Sequence, residues 1–511
     1  MIEINPSQWK TKPYDHQIEG VRKLCEHRAF ALFCEMGSGK SKQVIDAACT
    51  LFQAGQVDCV VIVAPASVRS VWLDPELGQL QKHCWVKSEV FEYHQQVRQV
   101  WSTAHEAAGT TLTWVVTNYE FLRPLKQDNH RASDLYDLLS TCPKIMLVLD
   151  ESSAIKSRTS KQTKAIGALR KLATRCVILN GTPISNTPLD LWAQLDVLDH
   201  RILGRHYKNF YHFKYSHCLM GGWHEKQVLG WRDLEKVQLL VRPHCLRRLK
   251  RDCLDLPPKL GGIESDNPLI REVRLTKDTW KRYRQLRQEA LLALPNRDVI
   301  LEPNAAVRII RLAQLTSGHI STLPVTDPAA QQELFVEPEV TDLSAEKLDW
   351  TLDYLTDWDT AEATIVWCRF RRERERLVAM LDAQGVRTFE LYGGQPRAAR
   401  DEAERAFDPS SRGVGRRVLV AQPHAGGKGL QLHAAVNNIY QSNDHSLEYR
   451  LQSEDRTHRS GTVEPVSYLD VLAVGPDGQK TIDWVIFKAL RAKQDLASWT
   501  CAAWRRALEA E

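Results

Sequence analysis

The sequence predicts an α/β protein with two lobes, each built around a parallel sheet. Its 511 residues exceed what one hydrophobic core usually organises. Short apolar runs end in polar residues in both halves of the chain, and stretches with helical periodicity separate these runs. Such runs are typical of buried parallel strands whose carboxyl ends carry functional side chains.

The apolar runs fall into two sets. In the first half they cover residues 29–34, 57–67, 112–120, 144–153 and 174–183. In the second half they cover residues 363–370, 385–394, 416–427 and 436–446. We therefore expect two similar sheets in one chain.

The material between the two sets has a different composition. Residues from about 190 to 345 are rich in Arg, Lys, Leu and Gln, with helical periodicity at 276–294 and 305–315. A Pro/Gly break at 255–262 and a polar loop at 323–340 interrupt this stretch. The sequence thus predicts a first lobe over 1–255 with a helical insertion at about 190–245, a linker and helical insertion over 256–345, and a second lobe over 346–511 with C-terminal helices.

The stretch CEMGSGKS at residues 34–41 predicts a phosphate-binding turn. Gly37 and Gly39 let backbone N–H groups hold phosphate oxygens, Lys40 reaches the outer phosphates, and the Ser41 hydroxyl ligates Mg²⁺. Helical spacing over 42–51 places the anion at a helix N-terminus. The usual pattern has a further Gly where Cys34 stands, and a turn that only caps a helix is the alternative.

Two acids and two arginines complete the predicted hydrolase. Asp150 and Glu151 follow the run LVL, and we expect Asp150 to hold Mg²⁺ and Glu151 to orient the attacking water. Arg456 and Arg459 are predicted on one side of a helix, where they offer positive charge to a transferred phosphoryl group. The alternative for this pair is two exposed arginines on an ordinary helix.

The overall composition restricts the possible functional classes only weakly. Lys plus Arg (68) exceed Asp plus Glu (63) only slightly, which permits a nucleic-acid partner without demanding one. Twelve scattered cysteines suit reduced thiols in a cytosol. The N-terminus has no secretion signal, so we expect a cytoplasmic location, in a nucleoid or a virus-infected bacterium.

A zinc site formed by His206, His212, His217, Cys218 and His224 is a minor possibility.

Eleven segments carry a family resemblance. They are PYDHQIEGV (13–21), CEMGSGKS (34–41), VIVAPASVRSVW (61–72), VVTNYEFL (115–122), VLDESSAIKS (148–157), LNGTPISNTPLDLWAQLDVL (179–198), HCLRRLKRDCLDLPPK (244–259), RIIRLAQLTSGH (308–319), WCRFRRERERLVAML (367–381), VLVAQPHAGGKGLQL (418–432) and LQSEDRTHRSG (451–461). In this order they resemble the motifs of the Swi/Snf-like DNA translocases of helicase superfamily two. The segments at 13–21 and 451–461 are similar to the Q motif and motif VI of that family, and those at 148–157 and 179–198 to motifs II and III.

The resemblance implies two RecA-like lobes with parallel sheets and helical insertions of the Swi/Snf type. It implies ATP and Mg²⁺ as ligands, with Gln17 as the adenine contact and Gln452 in the nucleotide site. It also implies that Arg456 and Arg459 act as arginine fingers. The family further suggests that the helical insertions hold the second strand of a duplex.

Two departures from the family pattern affect these expectations. Motif II usually continues Glu-Ala-His, but Ser152 and Ser153 follow Glu151 here, so the coupling to motif III, expected through Gly181 and Thr182, is predicted to differ. Motif V usually begins with Ser/Thr and Arg, whereas Gln422 stands there, with Pro and His after it.

The expected partner is double-stranded DNA, gripped by its phosphates, with single-stranded or forked nucleic acid as a lesser possibility and an unknown protein choosing the target. The predicted contacts are Ser67, Arg69, Asn118, Arg369, Gln422, Gly426, Gly427 and Lys428.

The predicted function is DNA-dependent ATP hydrolysis driving translocation on duplex DNA by a minimal motor of bacterial or viral type. Two alternatives stay open at this point. One is a strand-separating helicase that acts on forks, R-loops or RNA. The other is a slow ATP-gated clamp, which the intact Glu151 and arginines disfavour.

Overall fold

The computed structural model describes residues 2–76, 78–93, 110–122, 135, 139–140, 142–181, 183–184, 187–221, 227–292, 303–321, 340–357, 362–424, 432–459 and 461–493. The chain forms two compact units, one containing residues up to Asp255 and the other beginning at Leu256. Each unit is built on a parallel sheet with helices packed against it. The predicted α/β class with two lobes is therefore confirmed.

The sheet of the first unit has the strand order β3-β4-β2-β5-β6-β1-β9, with every neighbouring pair parallel. The strands are β1 Ala29–Leu32, β2 Cys59–Ala64, β3 Ser88–Glu92, β4 Leu112–Asn118, β5 Ile145–Leu149, β6 Arg175–Leu179 and β9 Cys245–Leu246. The five strands predicted in this half are all present. β3 and β9 were missed because β3 is a partly exposed strand at the sheet edge and β9 has only two residues.

Helices cover both faces of this sheet, so its central strands are buried on both sides. Along β2, Val61 and Val63 pack into one core and Val60 and Ile62 into the other, as the alternation of side chains across a strand requires. The helices of this unit are α1 Asp15–Glu26, α2 Lys40–Gln53, α3 Arg69–Leu73, α4 Gln79–His83, α5 Lys161–Leu172, α6 Asp190–Asp199, α7 Arg201–Gly204, α8 Phe210–His217, α9 Leu234–Val241 and α10 Lys250–Cys253. An antiparallel hairpin of β7 Cys218–Gly221 and β8 Gln227–Trp231 lies between α8 and α9.

The sheet of the second unit has the order β10-β18-β17-β14-β16-β15, and β11 also pairs with β18. Its strands are β10 Lys259–Gly261, β11 Leu269–Arg274, β14 Ala363–Trp367, β15 Thr388–Leu391, β16 Arg417–Ala421, β17 Ala435–Tyr440 and β18 Val466–Val474. All of these pairs are parallel. The four strands predicted in this half are confirmed.

The helices of the second unit are α11 Lys277–Leu292, α12 Pro303–Thr316, α13 Glu346–Asp357, α14 Arg371–Ala383, α15 Arg397–Ala406 and α16 Leu447–Asp455, followed by a helix over 482–493. The predicted helices near 276–294 and 305–315 are present. β10 and β11 lie in the stretch predicted as linker and helical insertion, yet they belong to the main sheet because both pair with β18. A short hairpin, β12 His319–Ser321 with β13 Val340–Asp342, follows α12, while the rest of the predicted loop at 323–340 lies outside the described residues.

No helix in the described part of the chain combines the length and the apolar character needed to cross a membrane.

Arg175 ties the end of α1 to the sheet. Its guanidinium donates to the carbonyl oxygens of Leu24 (3.2 Å), Cys25 (3.3 Å) and His27 (3.0 Å) and to Oε1 of Gln56 (2.6 Å). The last carbonyl groups of a helix have no partners within it, and a cation there is favourable. Arg175 therefore fixes α1, which carries the predicted adenine contact, against β6.

Replacing Arg175 with Met is expected to lower the free energy of unfolding of the first unit by about 2–4 kcal/mol, because buried carbonyl groups lose charged donors. Urea unfolding followed by tryptophan fluorescence measures the change. The matched control is Arg201→Met, since Arg201 is exposed and pairs with Asp199 on the surface. Equal losses in the two variants would contradict this role of Arg175.

Candidate functional site

The turn between β1 and α2 has the backbone that a phosphate-binding loop requires. Gly37 (φ 75°) and Gly39 (φ 79°) adopt the left-handed conformation, which residues with a side chain rarely do. α2 begins directly afterwards at Lys40, so the first N–H groups of this helix have no acceptor within it. We call residues 33–39 the phosphate loop.

The backbone of the phosphate loop holds the Lys40 ammonium in place. Its Nζ donates to the carbonyl oxygens of Cys34 (2.9 Å) and Glu35 (3.2 Å). Burial lowers the pKa of Lys40, and the nearby Glu151 carboxylate acts in the opposite direction. Among the described residues, the hydrogen bonds of this ammonium go to neutral carbonyl oxygens, so its charge is available to anionic oxygens, which suits the role predicted for Lys40.

Gln17 lies on α1 and contacts the same loop. Its Nε2 donates to the Ser38 carbonyl oxygen (3.3 Å), and its Oε1 accepts the backbone N–H of Tyr14 (3.1 Å). The His16 ring also bonds to the Ser38 carbonyl (2.9 Å); the carbonyl accepts, so Nε2 carries the proton. The structure thus gives Gln17 a part in shaping the phosphate loop, while the adenine contact stays a prediction.

Asp150 stands at the carboxyl end of β5. Its carboxylate oxygens accept the Trp72 indole N–H (3.0 Å) and the Glu151 backbone N–H (2.9 Å). Ser41 lies in the first turn of α2. Hydroxyl and carboxylate oxygens are the ligands that Mg²⁺ prefers, so this donor set fits a magnesium nucleotide.

Glu151 has an unusual backbone. Its φ of 51° places it in the left-handed region. Asp233 is the only other described non-glycine residue with a positive φ. Such a conformation costs about 1–3 kcal/mol and persists where the surrounding structure enforces it, often at functional sites. Here it turns the chain sharply after Asp150.

Ser152, Asn180 and Gln194 form a buried polar cluster that joins motif II to motif III. The Ser152 hydroxyl donates to Gln194 Oε1 (2.6 Å), and Asn180 Nδ2 donates to Ser152 Oγ (3.3 Å) and Gln194 Oε1 (3.1 Å). Gln194 Nε2 in turn donates to the carbonyl oxygens of Pro183 (2.9 Å) and Asp190 (2.8 Å). Neither Asn180 nor Gln194 was predicted as a functional residue. The serine after Glu151 was the available signal, because a buried hydroxyl needs a partner.

Gly181 lies beside the phosphate loop, as its predicted coupling role requires. A Cβ on Gly181 would approach Met36 Cγ to 2.8 Å, so any side chain here requires Met36 to shift. The Arg247 guanidinium donates to the Gly181 carbonyl (2.8 Å) and also bonds to the Phe33 carbonyl. Thr182, the other predicted coupling residue, lies outside the described residues.

The predicted arginines lie in the second unit, and their placement corrects one expectation. α16 ends at Asp455, so Arg456 caps it and Arg459 lies beyond it. The prediction that both stand on one side of a helix was wrong, because the Arg456 carbonyl accepts the Leu432 N–H (3.1 Å) in place of a further helical bond. The sequence pattern contained no helix-stop residue at that point.

Arg456 is buried and retains its positive charge. Burial lowers the pKa of Arg456 to about 10 and also lowers that of Arg459, yet at neutral pH Arg456 stays protonated. Among the described residues, Arg459 forms no ion pair, and its backbone N–H donates to Thr462 Oγ1 (3.1 Å). Gln452 is buried and donates to Glu448 Oε1 (3.0 Å).

The nucleic-acid candidates of the first unit differ in their surroundings. Ser67 lies in the short 3-10 turn after β2. Arg69 pairs with Glu92 (2.8 Å) at the surface. Asn118 is buried, and its Oδ1 accepts the Phe121 N–H (2.6 Å). Its side-chain oxygen therefore holds the turn after β4, while a contact with a phosphate would use the Nδ2 N–H groups, which are the donors of this side chain.

In the second unit, Arg369 and Gln422 lie together. Gln422 Nε2 donates to the Arg369 carbonyl (3.4 Å). The Arg369 guanidinium is mostly buried, pairs with Asp444 (3.3 Å) and lies 5.1 Å from the Phe370 ring centroid. The remaining predicted contacts, Gly426, Gly427 and Lys428, lie outside the described residues.

The alternative zinc cluster is not assembled by the described residues, which contain no group of three or more His, Cys, Asp or Glu side chains placed to hold a metal. His217 instead bonds to the Tyr207 hydroxyl (2.6 Å) and the Arg232 carbonyl (3.2 Å). His224 lies outside the described residues.

A family model described as SNF2-related domain matches residues 16–314, more than half of the chain. The chain belongs to the SNF2-related family. A helicase conserved C-terminal domain also matches residues 346–461. Enzymes of this family are helicase-type ATP hydrolases.

Similar proteins extend this result. The mouse DNA annealing helicase and endonuclease ZRANB3 is 23% identical over 100% of this chain and 42% of its own length. A Caenorhabditis elegans homologue of SWI/SNF-related matrix-associated actin-dependent regulator of chromatin subfamily A-like protein 1 is 23% identical over 94% of this chain and 61% of its own length. The chain thus spans about half the length of these relatives. The solved Sulfolobus solfataricus SWI2/SNF2 ATPase core in complex with dsDNA has a TM-score of 0.41 and 18% identity, covering 93% of this chain and 90% of that one.

Gly39→Ala is expected to weaken ATP binding by roughly tenfold or more, a change of about 1.4 kcal/mol for each factor of ten. A Cβ at this position would lie 2.2 Å from Gln17 Nε2, on a backbone with φ of 79°. The matched control is Gly55→Ala, because Gly55 also has a positive φ (65°) but nothing within 4 Å of the added Cβ. Calorimetric titration with ATP compares the variants, and an unchanged affinity for Gly39→Ala would refute the assignment of the phosphate loop.

Ser152→Ala and Gln194→Leu are each expected to lower the free energy of unfolding by about 1–3 kcal/mol, because a buried polar partner is left unsatisfied. Because the two side chains bond directly, the double variant should lose clearly less than the sum of the single losses. Maximal ATP turnover should fall in each variant while ATP affinity holds. Strictly additive losses in unfolding free energy would show that the cluster does not act as a unit.

Proposed function

We propose that the chain is a DNA-dependent ATPase that translocates on double-stranded DNA and remodels or displaces bound protein or nucleic-acid structures. The observation that carries the proposal is the division of the hydrolytic residues between two RecA-like units. The phosphate loop, Asp150 and Glu151 belong to the first unit, and Arg456 and Arg459 to the second. If ATP turnover needs the residues of both units, its rate depends on the conformation of both units, which is what a motor requires.

The proposed roles follow from the side chains. Lys40 binds the outer phosphates, and Ser41 with Asp150 would hold Mg²⁺, which when bound neutralises charge on the phosphates. Glu151 orients the attacking water and accepts its proton. A guanidinium from Arg456 or Arg459 stabilises negative charge on the transferred group, an effect that reaches about 10³–10⁵ in rate in related chemistry.

DNA as the partner is supported by the names of the relatives, which include a DNA annealing helicase and a regulator of chromatin. A translocating enzyme holds phosphates and ignores base identity, so its affinity falls steeply with salt. Arg69, Arg369 and Gln422 are the described side chains that we assign to this grip. The targeting partner, the cytoplasmic location and the bacterial or viral origin stay predictions.

Steady-state ATP hydrolysis tests the proposal, with blunt duplexes of increasing length, forked DNA, single-stranded DNA and structured RNA compared. Glu151→Gln is the blank, since it keeps ATP binding and loses the proton acceptor. Stimulation by blunt duplex that grows with duplex length is expected. A preference for forks or single strands would favour strand separation instead, and no stimulation by any nucleic acid would contradict DNA dependence.

The second unit is tested in the same assay. Arg459→Ala is expected to spare ATP affinity and to lower turnover by at least roughly tenfold, because arginine fingers act on the transition state. Arg397→Ala is the matched control, since Arg397 is an exposed arginine of the same unit. A loss confined to ATP affinity would contradict the finger role.

A further inference from the structure

A segment of the first unit has unusual charge and aromatic content. Residues 200–224 contain no Asp or Glu, although Arg, Lys and aromatic residues are frequent. Arg201 in this segment is paired with Asp199. Arg205, Lys208 and Lys214 form no ion pair among the described residues. The segment surrounds α8 and takes no part in the nucleotide site.

α8 buries one face and exposes two tyrosines on the other. On the buried face, the Phe213 ring lies 5.2 Å from Trp192 and 5.1 Å from Tyr207, measured between centroids. On the opposite face, Tyr211 and Tyr215 are each 55% exposed. Residues four apart on a helix are neighbours on its surface, with Cβ atoms about 5–6 Å apart. The two rings therefore stand side by side toward solvent.

Arg158 brings a further cation to this face. It lies in the segment after motif II, and its guanidinium carbon is 4.9 Å from the Phe210 ring centroid and 5.1 Å from that of Tyr211. Its Nη2 also donates to the Tyr211 hydroxyl (3.1 Å). More than half of the Tyr211 surface stays exposed despite this contact.

The exposed rings are carried by a firmly held helix. Asn209 caps α8 by accepting the His212 N–H (3.0 Å). At the other end, Arg232 donates to the carbonyl oxygens of Tyr215 (2.7 Å) and Ser216 (3.0 Å). Because the helix is already held in place, ligand binding costs the protein little conformational entropy. Aromatic rings that stay more than half exposed on such a helix indicate a binding surface.

We propose that Arg158, Lys208, Tyr211, Lys214 and Tyr215, the tyrosine face, bind single-stranded nucleic acid. Two successive bases stack on the tyrosine rings, and the three cations contact the phosphates that flank them. Stacking on aromatic rings together with a basic surface is the general mode of binding single strands without sequence preference.

The chemistry of the surface favours a single strand over other acidic partners. Bases in a duplex already stack on one another, so they cannot cover the two rings without strand separation. Carboxylates of an acidic peptide would use the cations but gain nothing from exposed rings. The tyrosine face therefore differs from the duplex grip proposed above, and its binding needs neither ATP nor hydrolysis.

The test uses the whole chain without nucleotide and measures the affinity for a fluorescent oligothymidylate by anisotropy. Tyr211→Ala with Tyr215→Ala is expected to weaken binding by at least roughly fivefold for each ring lost. The double Phe variant keeps the rings and should bind like the unchanged chain. Arg158→Gln removes one cation of the tyrosine face and should weaken binding. Its control is Arg397→Gln, which removes one exposed cation from the other unit.

Two further measurements locate the ligand. Irradiation of the complex with an oligonucleotide that carries 5-iodouracil should crosslink bases to Tyr211 or Tyr215, as peptide mass spectrometry would show. An abasic strand with the same number of phosphates should bind more weakly. Unchanged affinity of the double Ala variant, crosslinks found only elsewhere, or equal binding of the abasic strand or of an oligoglutamate would overturn the proposal. Circular dichroism confirms that the variants are folded.

Discussion

The left-handed backbone at Gly39 is the constraint around which the first unit is arranged. Elements from distant parts of the sequence of this unit bond to the loop that Gly39 shapes. Gln17 from α1 bonds to the Ser38 carbonyl. From the end of the sequence of this unit, the backbone N–H of Lys250 donates to the Glu35 carboxylate (2.8 Å). A loop held by residues from both ends of the sequence can present its N–H groups to phosphates without reorganising.

Buried hydrogen bonds connect the residue after Glu151 with motif III. Glu151 is followed by Ser152, whose hydroxyl joins Asn180 and Gln194 inside the unit. Buried polar groups that are all satisfied favour one arrangement strongly, since breaking any bond exposes the others to an unpaired state. These bonds therefore fix Ser152 relative to the segment after β6, which includes Gly181 beside the phosphate loop.

In the second unit, a buried ionic cluster holds motif VI. The Arg450 guanidinium donates to both carboxylate oxygens of Asp470 (2.6 and 2.9 Å) and to Glu454 (2.8 Å), and it lies 3.4 Å from the Tyr440 ring centroid. Lys259, from the segment that begins this unit, also reaches Glu454 (3.4 Å). Breaking such a buried pair is strongly destabilising, so the loop with Arg456 is anchored to the core of its sheet.

Local sequence determined the parts of this protein that depend on short-range rules. The continuous apolar runs specified most of the central strands, because buried parallel strands need apolar side chains on both faces. β18, a central strand of the second sheet, was not predicted. The glycines before Lys40 specified the turn, since only they adopt its backbone easily.

Tertiary structure alone decided how distant residues meet. It placed β10 and β11 in the main sheet, since strand pairing depends on partners far along the chain. It paired Ser152 with Gln194 and ended α16 before Arg456 through long-range hydrogen bonds and packing. It also brought Arg158 to Tyr211, a contact that no periodicity encodes, because chain topology and not local spacing sets which surfaces adjoin.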